Sequence, residues 1–274
     1  MSHLAKHCSI CFLVISTATA TLAQTCDVEE TAEAIDLTVQ TSVGLNTTDT
    51  ARFSISPDIV SVTIDGAGSA QNFDIKHDWQ PDQRPAQVMV IDVNNDARRD
   101  LFVGVAQGMV NADYMLLISA PGGGWLEAGS FTDPYFCTDL PGFATAARSG
   151  PHWFQTYWPI GNDDLPFRKI EQSTYDGIIE VRKTFDGTGA ISGETAVLAG
   201  TSLFAPAAPI KAQLNHPSGI VTLFDPQNRD VATETQPNET PVTLLKADET
   251  GFVIALHDGT QHYVAGDTLT VILD

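Results

Sequence analysis

Basic residues are scarce in this sequence. The 274-residue chain carries 14 Lys and Arg against 34 Asp and Glu, a formal net charge of −20. Such a surface repels nucleic acid and anionic lipid and suits cationic partners, either metal ions or basic proteins. Helical periodicity is also scarce: residues 28–37 could form one short helix, and no later run keeps a 3.6-residue apolar pattern. No segment reaches the roughly 18 consecutive apolar residues of a spanning helix, so no membrane span is expected. The chain lacks a Gly-x-Ser-x-Gly elbow, a His-Glu-x-x-His pair and a P-loop, which removes the standard nucleophile, zinc and nucleotide signatures. Gly66-Ala67-Gly68 has neither the third Gly nor the following helix of a dinucleotide loop and reads as a hairpin turn.

The N-terminus has the layout of a secretory signal. Lys6 precedes a short apolar run at 8–14, and Thr21-Leu22-Ala23 supplies a small-x-small site, so residues 1–23 are expected to be removed and the product to be periplasmic or secreted. Removal takes only Lys6 from the charge balance, leaving 13 basic against 34 acidic residues, or −21. It also disposes of Cys8 and Cys11. Cys26 and Cys137 remain, an even pair in an oxidising compartment, and a disulfide between them is the simplest expectation.

Strand signals fill the rest. Short runs rich in β-branched and aromatic residues lie at 52–56, 59–64, 88–93, 101–105, 114–119, 153–158, 178–185 and 195–198. Asp65-Gly66, Pro121 to Gly124, Asp176-Gly177 and Asp186-Gly187 stand between them as turns. This is the pattern of an all-β protein, an antiparallel β-sandwich or barrel-like domain over 24–200. Around 205–209 the composition turns to Ala and Pro, as in a stiff linker. A second unit over 205–274 would place strands at 220–224, 242–246, 252–257, 261–264 and 269–273, the proportions of a small five-stranded barrel.

One segment carries distinctive chemistry. Directly after an apolar strand, Asp92, Asn94, Asp96 and Asp100 occupy loop positions 1, 3, 5 and 9. A tightly wound loop turns alternate residues inward, so these oxygens can converge on one hard cation. Calcium takes about 6–8 oxygen ligands at ~2.3–2.6 Å, and the Arg98 carbonyl at position 7 is the usual supplement. A polar hairpin turn would also favour Asp and Asn, but it would crowd three carboxylates into nine residues without a counter-ion. The segment resembles the Asp-x-Asn-x-Asp-Gly-x-x-Asp-Leu loop of the FG-GAP and VCBS repeat families, which implies calcium as the bound ion. Those loops have Gly at position 6, where this chain has Ala97. A Cβ in the left-handed conformation there costs about 1 kcal/mol. Val103 at position 12 separates the loop from an EF-hand.

The loop occurs once, so a propeller of such repeats is excluded. The order of an apolar strand, this single loop, an Asn-x-x-Tyr strand at Asn111 to Tyr114, a Gly-rich turn before Trp125 and then Phe131 to Pro134 resembles exported calcium-binding relatives of the periplasmic lysozyme inhibitors. Several of those inhibitors use a Ser-Gly-x-x-Tyr loop. Ser149, Gly150, His152 and Trp153 lie in a similar one, with Trp153 in place of Tyr. The resemblance implies a non-enzymatic protein whose partner is a lysozyme or another cell-wall hydrolase. At the C-terminus, Gly251-Phe252, Asp258-Gly259 and His262-Tyr263-Val264 resemble a degenerate bacterial SH3-like domain, which implies a small barrel. The other functional class is a cell-envelope glycoside or peptidoglycan hydrolase working through paired carboxylates, with Asp163 and Asp164 beside Trp158 as the candidates. His257 and His262, five residues apart across a hairpin, are a nominal metal pair that reads more simply as exposed polar strand residues.

Overall fold

A computed structural model describes residues 40–45, 49–66, 70–79, 88–121, 123–136, 141–174, 177–248 and 250–273. The expected signal segment 1–23, the possible helix at 28–37, Cys26 and Cys137 all lie outside them. The described residues form strands and turns with no helix, and every pairing between named strands is antiparallel.

The first sheet contains β1 (Gln40–Leu45), β2 (Asp49–Ile55), β3 (Ile59–Asp65), β4 (Gln71–Lys76), β5 (Val88–Ile91), β6 (Arg98–Gln107), β7 (Ala112–Ser119) and β8 (Trp125–Thr132). Its order is β4-β3-β2-β1-β6-β7-β8, with β5 also paired to β6. The second contains β9 (Pro134–Tyr135), β10 (Phe143–Ser149), β11 (His152–Trp158), β12 (Ile170–Thr174), β13 (Ile179–Phe185) and β14 (Ile191–Leu198) as an unbroken meander. The third contains β15 (Ile210–Leu214), β16 (Ile220–Phe224), β17 (Ala232–Pro237), β18 (Pro241–Asp248), β19 (Gly251–Ala255), β20 (Gln261–Ala265) and β21 (Leu269–Val271), in the order β17-β16-β20-β19-β18-β15-β21. Each sheet is open. The C-terminal barrel expected from the sequence is therefore a seven-stranded open sheet, because β17 and β21 stand at opposite edges without pairing to each other.

Patterning explains the layers. β3 alternates buried and partly exposed residues along its length, the signature of one covered face. β6 instead runs buried from Asp100 to Val105, because both of its faces are covered. Leu101, Val103 and Val105 join Phe53, Val62 and Ile64 in one core. Phe102 points the other way, edge-on to Phe136 and Phe143 with centroids 5.4 and 5.1 Å apart, and Phe143 continues the cluster to Phe131 at 4.8 Å. This second core bridges the first and second sheets.

A third core crosses the composition change near residue 205. Ile179, Val181 and Ala196 of β13 and β14 pack with Leu214, Leu223, Leu244 and Ile254 of the third sheet. The segment between the sheets is anchored as well. Arg182, 6% exposed, donates from Nε to Gln172 Oε1 at 2.8 Å, from Nη2 to the Ser202 carbonyl at 2.8 Å, and from Nη1 to the Ala205 carbonyl. Gln172 Nε2 donates to the Thr201 carbonyl at 2.8 Å and to Glu180. Leu203 is buried and Phe204 meets Tyr157 edge-on. The Ala/Pro-rich stretch begins as a docked strap.

Candidate functional site

The loop after β5 closes on itself through its own acids. Asp92 accepts the Asp96 amide on Oδ1 at 3.1 Å and the Ala97 amide on Oδ2 at 2.8 Å. Asn94 Oδ1 also accepts from Asp96 N at 3.3 Å, and Asp96 Oδ1 accepts from Arg98 N at 2.8 Å. Asn95 and Ala97 have φ of 59° and 65°, so the left-handed turn expected at position 6 is present and is made without Gly. Asp92, Asn94 and Asp96 thus gather at one turn. Asp96 Oδ2 is buried and accepts no hydrogen bond among the described residues. The Arg98 guanidinium lies beside it as an ion-pair partner, with Nε at 3.5 Å.

Arg98 and Asp100, the other two expected ligands, make side-chain contacts of their own. Arg98 opens β6, and its guanidinium donates to the carbonyls of Ala120 and Pro121 at 2.9 and 3.1 Å, tying this loop to the β7–β8 turn. Asp100 is fully buried. It directs Oδ2 to the Val93 amide at 3.0 Å and Oδ1 to the Ser119 amide at 2.8 Å. Burial pushes its carboxyl up to about 8, with the charges of Asp96 and Asp92 adding and the two amide donors opposing. Among the described residues no group of three or more His, Cys, Asp or Glu is arranged to hold a metal unaided. A cation here would take Asp92, Asn94 and Asp96 as side-chain ligands and need carbonyls or water for the rest. Asp96 Oδ2, buried without a hydrogen bond among the described residues, is the feature of the loop that fits such an ion.

Ser149, Gly150, His152 and Trp153 form the β10–β11 hairpin turn. Arg148 and Trp153 are register partners, as are Ser149 and His152. Gly150 has φ of 60°, which permits the reversal, and Arg148 Nε donates to its carbonyl at 3.0 Å. The guanidinium carbon of Arg148 also lies 5.7 Å from the Trp153 ring centroid. Trp153 remains 48% exposed.

Sequence reasoning missed what stands beside it. The β6–β7 turn, Gly108-Met109-Val110-Asn111, puts a fully exposed Met109 and a largely exposed Val110 at its tip. Asn111 fastens this turn to the other: its Nδ2 donates to the Arg148 carbonyl and its Oδ1 accepts the Arg148 amide, both at 3.0 Å. Two hairpins from two sheets are therefore clamped side by side. The available signal was an apolar pair inside a Gly-to-Asn turn, a position where apolar side chains gain nothing from burial.

Other candidates resolve into structural roles. His262 is buried, its Nδ1 3.0 Å from Thr233 Oγ1 and its Nε2 3.1 Å from Glu234 Oε1, so it does not pair with His257. Asp163 Oδ1 accepts the Leu165 amide at 3.3 Å within an exposed turn. Phe252 and Tyr263 are core residues of the third sheet. Comparison of the chain with protein-family models, with characterised proteins and with solved structures finds no match in any of the three.

Proposed function

We propose that this is an exported, non-enzymatic binding protein that presents the paired turns at Met109-Val110 and Ser149 to Trp153 to another exported protein, a lysozyme or related cell-wall hydrolase. The observation that carries this reading is the Asn111 clamp, which joins the turn bearing exposed Met109 and Val110 to the turn bearing exposed Trp153. Exposed apolar and aromatic tips suit a protein partner, since Trp is enriched among the few residues that dominate binding energy. A body of charge −20 accelerates encounter with a basic enzyme. In a panel of lysozymes and peptidoglycan hydrolases, the protein is expected to slow at least one. Trp153→Ala should weaken that inhibition by ~30-fold, the effect of losing about 2 kcal/mol at a central contact. Inhibition of none would discard the hydrolase as partner.

Calcium binding at Asp92, Asn94 and Asp96 is the second part of the proposal, supported by the buried Asp96 Oδ2, which accepts no hydrogen bond among the described residues. Ala97 and the nearby Arg98 guanidinium place the affinity in the weak extracellular range, Kd about 10⁻⁴–10⁻³ M. At ~10 mM calcium, linkage then contributes roughly 1.4–2.7 kcal/mol and raises Tm by about 3–10 °C. Asp96→Ala should remove the rise. Identical melting curves with calcium and with chelator would retire the site.

A further inference from the structure

The loop after β5 and the turn between β7 and β8 draw on one side chain. Arg98 uses all three guanidinium nitrogens: Nη1 donates to the Ala120 carbonyl at 2.9 Å, Nη2 donates to the Pro121 carbonyl at 3.1 Å, and Nε stands 3.5 Å from Asp96 Oδ2. Its side chain is 18% exposed, a packed position. Within the turn, Ala120 N donates to the Gly124 carbonyl at 2.9 Å and Gly123 N to the Ala120 carbonyl at 3.0 Å. Gly123 and Gly124 have φ of 81° and 94°. Glycines lose the most conformational freedom on ordering, so a clamp on this turn from outside it has a large effect on its order.

Asp96 Oδ2 is also the oxygen that a cation in the loop would take. Calcium sits ~2.3–2.6 Å from its oxygens, so an ion on that atom and Arg98 Nε stand at most about 6 Å apart. Even under water-like screening, a unit positive charge at about 6 Å opposes a divalent ion by roughly a factor of ten. An ion on Asp96 also cancels the attraction that draws the guanidinium toward the loop. The guanidinium is a rigid planar fork. It cannot withdraw from the ion without disturbing its bonds to the Ala120 and Pro121 carbonyls.

We infer that Arg98 couples this loop to the β7–β8 turn: calcium on Asp96 and the guanidinium clamp on Ala120 and Pro121 compete, so filling the loop loosens the turn. This rests on calcium binding at the loop and names the residue that opposes it. Linkage is reciprocal, so removing the Arg98 charge tightens calcium. The test is calorimetric titration of the full chain with calcium chloride, paired with NMR measurement of amide exchange at Ala120 and Gly123. Arg98→Met binds calcium about tenfold more tightly than the unaltered protein. Arg98→Lys keeps the charge and stays within about threefold of the unaltered protein, as does Arg99→Met, which removes an equal charge from an exposed, screened neighbour. Saturating calcium speeds exchange at Ala120 and Gly123 several-fold in the unaltered protein. In Arg98→Met that exchange is already fast, and calcium does not change it. Melting in chelator verifies that each variant is folded. Three results would each overturn the coupling and leave calcium binding standing: equal calcium affinity in Arg98→Met and the unaltered protein, equal tightening by Arg99→Met, or turn exchange unchanged in the calcium-saturated unaltered protein. Calcium binding by Arg98→Met alone supports the competition. No heat from either protein at about 10 mM calcium, well above the weak extracellular range, removes the site and the coupling together.

Discussion

Asp100→Ala is expected to destabilise the protein by about 3–4 kcal/mol, measured as a fall in the free energy of unfolding by denaturant titration. Asp100 is fully buried and serves the amides of Val93 and Ser119 at 3.0 and 2.8 Å. Alanine leaves both donors buried without an acceptor, at about 1–3 kcal/mol each. Relief comes from removing a carboxyl whose ionised form burial already disfavours, which keeps the total below the sum of the two maxima. Asp100→Asn should fall between, because its one oxygen still serves one amide while its NH2 group confronts the other. A loss under about 1 kcal/mol for the alanine variant would mean that water reaches the two amides and that the carboxyl is not what joins this loop to β7.

Arg182→Ala should cost about 3–5 kcal/mol, from leaving three acceptors without their charged donor at about 1–3 kcal/mol each, partly offset by removing a buried charge. Its guanidinium supplies three donors in three directions, to Gln172, Ser202 and Ala205. Burial lowers its proton affinity, with the charge of Glu180 opposing. Truncation leaves two strap carbonyls and the Gln172 oxygen without that donor, and it loosens the segment that leads into the third sheet. Arg182→Lys should recover less than half of the loss, since a compact ammonium cannot reproduce the planar fork. Unfolding by denaturant again measures both. Equal stability of the lysine variant and the unaltered protein would show that charge, and not the fork, holds the strap.

The all-β character was legible because its cause is local. Alternating apolar residues, as at 59–64, and turns such as Asp186-Gly187 need no knowledge of distant contacts. Asp186 shows why: its Oδ1 accepts the amides of Thr188 and Ala190 and the Thr188 hydroxyl within the same hairpin. Among the strands that went unread are polar ones. β12 reads Ile-Glu-Gln-Ser-Thr, β17 reads Ala-Thr-Glu-Thr-Gln-Pro and β4 reads Gln-Asn-Phe-Asp-Ile-Lys. They are strands because neighbours supply a hydrogen-bonding ladder, and no propensity reveals that in advance. The acidic spacing of the loop was legible, yet the amides that Asp100 accepts were not. One of them depends on where Ser119 falls, 19 residues along the chain. The turn at Ser149 to Trp153 was found by resemblance, whereas its companion at Met109 depended on a contact across 37 residues.

That long-range contact has a consequence for when the protein can act. Met109 belongs to a hairpin of the first sheet and Trp153 to one of the second, and only the finished arrangement brings Asn111 to the backbone of Arg148. A target that grips both tips together recognises neither hairpin alone. Under the proposed function, half-assembled chains would therefore stay silent, and capture would begin only once folding is complete.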